Sequence, residues 1–192
     1  MPCYRPLMTI DPERQGVPET HRDKAPRQVG ETLGYALVTA SDSRTPEDDE
    51  SGSSMAERVE AAGHRVVERL IVRDEAAPLR SAVRALLADP SVDVVVVSGG
   101  TGVSPRDVTV EAVAPLFDRG LPGFGEIFRT LSYEEIGAAA MLSRATAGVA
   151  DGRAVFLLPG SPKAVTLALD ELILPEAAHL VAQARRGATR GG

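Results

Sequence analysis

The chain of 192 residues has a formal net charge of −6, with 43% hydrophobic and 25% charged residues, a composition typical of a globular protein. Aromatic residues make up only 4% and tryptophan is absent, which argues against an aromatic surface for single-stranded nucleic acid. The acidic balance also argues against non-specific nucleic-acid binding, and a bound phosphate would need local cations.

Cysteine and histidine usage argues against two further kinds of site. The one cysteine, Cys3, excludes an internal disulfide framework. His21, His64 and His179 lie far apart without a cysteine cluster, which gives a zinc site little support. No apolar run approaches the ~20 residues of a membrane span, and the N-terminal segment lacks the apolar core of a signal peptide. We therefore expect a cytoplasmic protein without a membrane partner.

The chain divides into one domain and two tails. Residues 1–30 mix proline, arginine and acidic residues without a periodic apolar pattern, and residues 186–192 are mostly glycine and arginine. Such segments bury too little apolar surface to fold alone. We expect a flexible N-terminal tail, a domain over residues 31–185 and a flexible C-terminal tail over residues 186–192.

Strand and helix patterns alternate along the domain. The predicted strands cover residues 33–39, 66–72, 92–97, 146–149 and 154–158. The predicted helices cover residues 53–62, 75–88, 108–117, 124–136 and 162–184. The strand over 92–97 is apolar throughout, as in a central parallel strand covered on both faces. Asp151-Gly152 predicts a hairpin turn, and Pro175 predicts a bend in the last helix.

This alternation predicts an α/β fold, a three-layer α/β/α sandwich with a mostly parallel central sheet. Ligands of such sheets bind beyond the carboxyl ends of the strands. Polar residues and glycines follow four predicted strands at that edge: Ser41-Asp42, Asp74, Gly99 to Gly102 with Asp107, and Pro159-Gly160-Ser161.

The stretch VVVVSGGTGVSPRDVT places three glycines directly after the most apolar strand. Glycines there let backbone N–H groups converge, and a following helix N-terminus adds partial positive charge, so the loop could hold a phosphate. It matches neither a Walker P-loop nor the dinucleotide fingerprint. A tight strand-to-helix turn without a ligand is the alternative.

Each acidic residue in these loops could have a purely structural role instead of a role in binding or catalysis. Asp107 fits a helix start with Ser104 as N-cap and Pro105 at the first position, or it could share a cation with Glu111 on one helix face. Asp74 could be the N-cap of the next helix. Asp48-Asp49-Glu50 is interpreted as a solvated loop.

The loop PGSPK also has two interpretations. Ser161 and Pro162 form a good N-cap and first helical position, which suffices structurally. The same helix start could bind an anion, with Lys163 adding positive charge.

The ordered series SGGTGVSPRDVTVEAV, PGFGEIFRTLSYEEIG, LSR and LPGSPKA resembles the molybdenum cofactor biosynthesis family. That family includes the molybdopterin adenylyltransferases and the G domain of gephyrin. The resemblance covers about residues 33–184 and is greatest for the branch called B. Some members of that branch lack the two aspartates that correspond to Asp74 and Asp107, whereas this chain has both.

The resemblance implies a trimeric or hexameric protein that joins molybdopterin to AMP from Mg-ATP, and it implies a downstream metal-insertion protein as a possible partner. Asp74 and Asp107 would act with magnesium in catalysis. Gly99, Gly100, Thr101 and Gly102 would line the nucleotide and phosphate site. Other expected substrate contacts are Ser41, Asp42, Ser143, Pro159, Gly160 and Ser161. A binding-only paralogue or a scaffold of the same fold is the alternative.

The chemistry of such a transfer agrees with these residue types. A phosphate monoester is already a good nucleophile near neutral pH, so the reaction needs alignment and charge cancellation more than a strong base. Glycines, two aspartates for magnesium and Arg106 provide those functions without a histidine.

Overall fold

The computed structural model describes residues 32–186, which form a six-stranded sheet flanked by helices. The predicted N-terminal tail, and all but residue 186 of the predicted C-terminal tail, lie outside these residues. The strands are β1 (Gly34–Ala40), β2 (Arg65–Val72), β3 (Val94–Ser98), β4 (Arg119–Gly120), β5 (Thr146–Ala150) and β6 (Arg153–Leu158). The α-helices are α1 (Glu50–Ala61), α2 (Ala76–Ala88), α3 (Thr109–Val113), α4 (Pro122–Ile136), α5 (Pro162–Ala168) and α6 (Leu174–Arg185).

The sheet has the order β2-β1-β3-β6-β5-β4. Pairing is parallel from β2 through β1 and β3 to β6, and β5 and β4 continue the sheet antiparallel. One apolar core packs α1, α5 and α6 against one face, and another packs α2 and α3 against the other. The predicted three-layer α/β/α sandwich with a mostly parallel sheet is confirmed.

The central strand β3 has the two-sided burial that its valines predict. Val94 and Val96 lie in one core, whereas Val95 and Val97 lie in the other, and all four are 0% exposed. Side chains of a strand alternate between faces, so a strand covered on both sides is apolar at every position. The strand ends at Ser98, where the glycines begin.

The predicted hairpin is also confirmed, because β5 and β6 pair antiparallel around Asp151 and Gly152. Both turn residues have positive φ, 49° and 72°, as the common two-residue hairpin turn requires. The two-residue strand β4 was not predicted, since so short a segment has no periodic pattern. The last helix is interrupted by a π-helical turn, Leu169–Ile173, that ends just before Leu174-Pro175.

The interpretation of Asp48-Asp49-Glu50 as a solvated loop holds for Asp48, which lies in an exposed turn, and is wrong for Asp49, which is buried. Helix α1 begins at Glu50, earlier than predicted, with Asp49 as its N-cap. Asp49 is 2% exposed, and its carboxylate accepts hydrogen bonds from Thr39 and from the Gly52 N–H and forms an ion pair with Arg69. These partners come from β1 and β2 as well as α1, so the local sequence does not reveal them.

In residues 32–186, no helix is both long enough and apolar enough to span a membrane.

Candidate functional site

The loops that follow β1, β2, β3 and β6 meet at one edge of the sheet because these strands are parallel. Their packing leaves no room for a side chain at Gly99 and only a tight space at Gly160. The Gly99 N–H donates to the Leu158 carbonyl (2.9 Å), and a Cβ on Gly99 would collide with the Ala40 carbonyl oxygen. A Cβ on Gly160 would lie 3.2 Å from the Gly99 Cα. The structure thus brings the loops after β1, β3 and β6 into direct contact.

Gly100 connects this edge to Asp74 after β2. Its φ of 63° favours glycine. A Cβ there would lie 2.6 Å from Oδ1 of Asp74 and would also collide with Oγ1 of Thr109. The glycine therefore leaves space beside two buried oxygens, and any other residue would displace one of them.

Asp42 joins three of the loops through its carboxylate. Oδ1 accepts the Asp74 N–H (3.2 Å), and Oδ2 pairs with the guanidinium of Arg106. The Arg106 side chain is 78% exposed, so this ion pair lies at the surface of the site. A phosphate entering the site could take the place of Asp42 as the partner of Arg106.

Asp74 has the most unusual environment at this edge. Burial raises the pKa of its carboxyl group, the charges of Asp107 and Asp42 raise it further, and Arg106 opposes the shift. Its Oδ1 is buried and has no hydrogen-bond partner among residues 32–186. The N-cap of α2 is Glu75, so the N-cap alternative for Asp74 is wrong. An approaching cation would relieve this crowding of negative charge.

Asp107 lies in a turn and outside any helix. The Asp107 N–H donates to the Ser104 carbonyl (2.9 Å), and Oδ2 of Asp107 accepts the Ser104 N–H (2.8 Å). Helix α3 begins only at Thr109, so the helix-start alternative with Ser104 and Pro105 is wrong. The predicted helix after the glycines is present, and it begins one residue later than the predicted position 108 and ends earlier, at Val113. The turn instead holds the Asp107 carboxylate close to Gly102, where a Cβ would lie 2.8 Å from Oδ2.

Glu111 does not share a cation site with Asp107. Its carboxylate forms an ion pair with Arg144, and this hydrogen bond lowers the pKa of the Glu111 carboxyl group. Arg144 also donates to the carbonyls of Gly102 (2.7 Å) and Asp107 (2.8 Å), and its N–H donates to Thr101 (3.0 Å). Sequence reasoning missed Arg144, although it directly follows Ser143 in the LSR motif.

The predicted serines bond mainly within their own segments. Ser143 Oγ accepts the Ala145 N–H (3.3 Å), and its neighbour Arg144 contacts the glycine loop. Ser41 Oγ accepts the N–H groups of Ser43 and Arg44. The hydroxyl groups of Ser41 and Ser143 therefore stabilise their own turns.

Ser161 is the N-cap of α5, as predicted, and its Oγ accepts the Ala164 N–H (3.3 Å). Gly160 lies against the glycine loop, and its carbonyl accepts the Ser51 hydroxyl from α1 (2.7 Å). The segment Pro159-Gly160-Ser161 therefore forms one wall of the site through its backbone.

The carboxylates at this edge fit magnesium that a phosphate also holds. Among the described residues, no three histidine, cysteine, aspartate or glutamate side chains lie close enough to hold a metal ion alone. Magnesium commonly takes only one or two carboxylates, together with water and substrate phosphates. The carboxylates of Asp107 and Asp42 lie close enough to raise the pKa of Asp74, and this accumulation of negative charge agrees with such a site.

The chain is similar in sequence and in fold to proteins that are named for molybdenum cofactor biosynthesis. A family model described as probable molybdopterin binding domain matches residues 36–179. Molybdenum cofactor biosynthesis protein B of Bacillus subtilis (strain 168) is 48% identical over 169 residues, which cover 88% of this chain and 97% of that protein. The crystal structure of a molybdenum cofactor biosynthesis protein B has a TM-score of 0.80 at 46% identity, over 83% of this chain and 99% of that one. The tungsten cofactor synthesizing protein MoaB from Pyrococcus furiosus has a TM-score of 0.70 at 38% identity, over 81% and 99%.

Proposed function

The chain belongs to the family of probable molybdopterin binding domains, and from this premise we propose that it acts in molybdenum cofactor biosynthesis by adenylylating molybdopterin. An oxygen of the terminal phosphate of molybdopterin attacks the α-phosphorus of ATP. The bond from that phosphorus to the oxygen that bridges to the β-phosphate breaks. The products are adenylylated molybdopterin and pyrophosphate.

The observation that carries this proposal is the buried, partnerless Oδ1 of Asp74 at the edge of the sheet, where the described residues offer it no hydrogen bond. A structural aspartate at a strand end is normally hydrogen-bonded, because an unsatisfied buried acceptor costs about 1–3 kcal/mol. Perturbed carboxylates in a cleft are candidates for functional groups. Asp74 lies beside the glycine loop and near Asp107 and Asp42.

Each part of the site has a task in this reaction. Gly100 and Gly102 are partly exposed and would offer their backbone to a phosphate, whereas the buried Gly99 closes the loop against the end of β6. The Arg144 side chain holds the loop by donating to the Gly102 carbonyl. Asp74 and Asp107 would hold magnesium, which when bound offsets the charge of the two anionic reactants. Arg106 adds positive charge at the surface of the site. Alignment and electrostatic stabilisation are the main requirements of phosphoryl-type transfers.

The decisive experiment measures pyrophosphate and adenylylated pterin after the purified chain is mixed with molybdopterin, ATP and magnesium. We expect both products, and neither after chelation of the metal. The variant Asp170→Asn changes an aspartate outside the site, where Asp170 pairs with Arg58 at the surface, and it should form both products as the wild type does. Tight binding of molybdopterin without product would instead favour the binding-only alternative.

We also propose that the chain assembles into a trimer or hexamer. Several large apolar side chains are more than half exposed in the single chain: Val103, Ile127, Tyr133, Ile136, Met141 and Leu142. Such residues often mark an interface. Light scattering coupled to size-exclusion chromatography would give the mass of the assembly, and a monomer at micromolar concentration would refute this proposal.

A further inference from the structure

Two buried oxygens beside Gly100 lack hydrogen-bond partners anywhere in residues 32–186: Oδ1 of Asp74 and Oγ1 of Thr109. Thr109 is 0% exposed, and its N–H already donates to the Gly100 carbonyl (3.0 Å). Its hydroxyl group is therefore the part of the residue that the fold leaves unsatisfied. A buried hydroxyl without a partner is destabilising, so its retention needs an explanation.

The two oxygens border the same small space. A Cβ on Gly100 would collide with Oγ1 of Thr109 and would lie 2.6 Å from Oδ1 of Asp74. One oxygen belongs to a hydroxyl, which can donate a hydrogen bond, and the other belongs to a carboxylate, which can accept it. Both oxygens lie within 2.6 Å of the position that a Cβ on Gly100 would take, so they are near enough for a side-chain rotation to bring them into a hydrogen bond.

A ligand cannot reach these two oxygens directly, since both are closed to solvent. Asp74 as a whole is only half-buried, so its other oxygen, Oδ2, is the one that can face a bound group. A hydrogen bond at Oδ1 would fix the plane of the carboxylate and so direct Oδ2 into the site. Partners of this kind orient the residues that hold a metal ion.

We propose that Thr109 is a positioning residue for Asp74. Its hydroxyl group donates to Oδ1 of Asp74 when a magnesium nucleotide binds, and Oδ2 is thereby held towards the metal. This inference rests on the proposed function, because it assumes that Asp74 holds magnesium together with a nucleotide. Any side chain at position 100 would occupy the space beside the two oxygens and prevent the hydrogen bond between Thr109 and Asp74.

Binding of the α,β-methylene analogue of ATP, which cannot release pyrophosphate, tests this role. Titration calorimetry on the full chain would compare the affinity in magnesium with the affinity in EDTA. We expect the gain from magnesium to fall roughly 10- to 100-fold in Thr109→Val, the range for losing such a partner. The affinity in EDTA should not change.

Two further variants separate positioning from packing. Thr109→Ser keeps the hydroxyl and should retain the full gain from magnesium. Ser98→Ala removes another buried hydroxyl that has no partner within the described residues, and it should also retain the gain. The melting temperature of Thr109→Val should be unchanged or higher, because an unsatisfied group is removed. If that variant does not fold, Thr109→Ala takes its place.

The outcomes distinguish this inference from the proposed function. If Thr109→Val binds the analogue with the same gain in affinity from magnesium as the wild type, the role of Thr109 is overturned, and the proposed adenylylation is unaffected. An equal loss in Thr109→Ser or in Ser98→Ala also overturns it, since packing would then be the cause. A wild-type chain that binds the analogue equally well with and without magnesium refutes the positioning role. A chain that never binds it contradicts both proposals.

Discussion

Asp49 and Asp74 follow neighbouring parallel strands at the same edge of the sheet, yet their carboxylates have opposite surroundings. Asp49 is buried and accepts from Thr39 and Gly52 while it pairs with Arg69. Asp74 is crowded by like charges, and its Oδ1 has no partner in the described part of the chain. The first arrangement stabilises the fold, whereas the second costs stability and leaves a carboxylate available to a ligand.

The largest expected effect comes from removing the satisfied carboxylate. Asp49→Ala leaves Arg69 without its buried partner and α1 without its N-cap, so it should lower the free energy of unfolding by about 3–5 kcal/mol. Urea denaturation at a fixed protein concentration measures this loss. The control Asp170→Ala breaks the half-exposed pair with Arg58 and should cost about 0–1 kcal/mol. Equal losses of unfolding free energy in the two variants would show that the buried ion pair of Asp49 contributes no more to stability than the exposed pair of Asp170.

Asp74→Asn should have the opposite effect, with a large loss of activity and little change in stability. The amide keeps the size of the side chain but removes the charge, so adenylyl transfer should fall about 100- to 1,000-fold, equivalent to about 3–4 kcal/mol in the barrier. The free energy of unfolding should change by less than about 1 kcal/mol, since no hydrogen bond to the Asp74 carboxylate is lost among residues 32–186. Initial rates and urea denaturation measure the two quantities. A variant that unfolds as readily as Asp49→Ala would remove the contrast between the two aspartates.

The contrast between these aspartates also shows what the sequence could predict. The burial of β3 follows from a local pattern, because valine at every position suits a strand covered on both faces. The hairpin follows in the same way from Asp151-Gly152. Asp49 was misassigned because its partners Thr39 and Arg69 are distant in the chain, and three consecutive acidic residues resemble a solvated loop.

One of the two interpretations of Asp107, that of a helix start, was wrong for a different reason. Ser104-Pro105 is a good local helix start, but the carboxylate of Asp107 instead closes a turn with the Ser104 N–H. Arg144 then binds the Asp107 carbonyl from a segment some forty residues away in the sequence. Local preference and long-range contacts disagree here, and the long-range contacts determine the structure. The position of Asp107 at the sheet edge was nevertheless predictable from the end of β3.

Asp107→Asn should have an intermediate effect. Its carboxylate both closes the turn with Ser104 and adds negative charge near Asp74. The amide oxygen can still accept the Ser104 N–H, so we expect the fold to be kept and most adenylyl transfer to be lost, about 10- to 100-fold. Initial rates against magnesium concentration measure the loss. Full turnover in this variant, with a loss confined to Asp107→Ala, would limit Asp107 to its structural role in the turn.

The smallest expected effect concerns the amino ends of the parallel strands, opposite to the candidate site, where His64 directly precedes β2. Its Nδ1 accepts the Leu33 N–H (3.4 Å), and its ring stacks on Tyr35 with the centroids 5.3 Å apart. Burial lowers the pKa of His64 from its usual value of 6.5. The unfolded chain therefore binds a proton more readily than the folded one just below pH 6.5, so the contribution of His64 to stability is complete above that pH and is lost as the pH falls.

This loss should stay well below about 1 kcal/mol, because the half-buried ring retains screening by solvent. Urea denaturation of wild type and His64→Gln at about pH 7.5 and about pH 5.5 measures it, since the difference between the two proteins isolates the histidine. We expect the wild type to lose more stability than the variant on acidification. Because His64 lies at the far edge from Asp74, the dependence of adenylyl transfer on pH should be the same in both proteins. A changed pH profile in His64→Gln would show that the two edges of the sheet are coupled, and the local account of the Asp74 environment would then be insufficient.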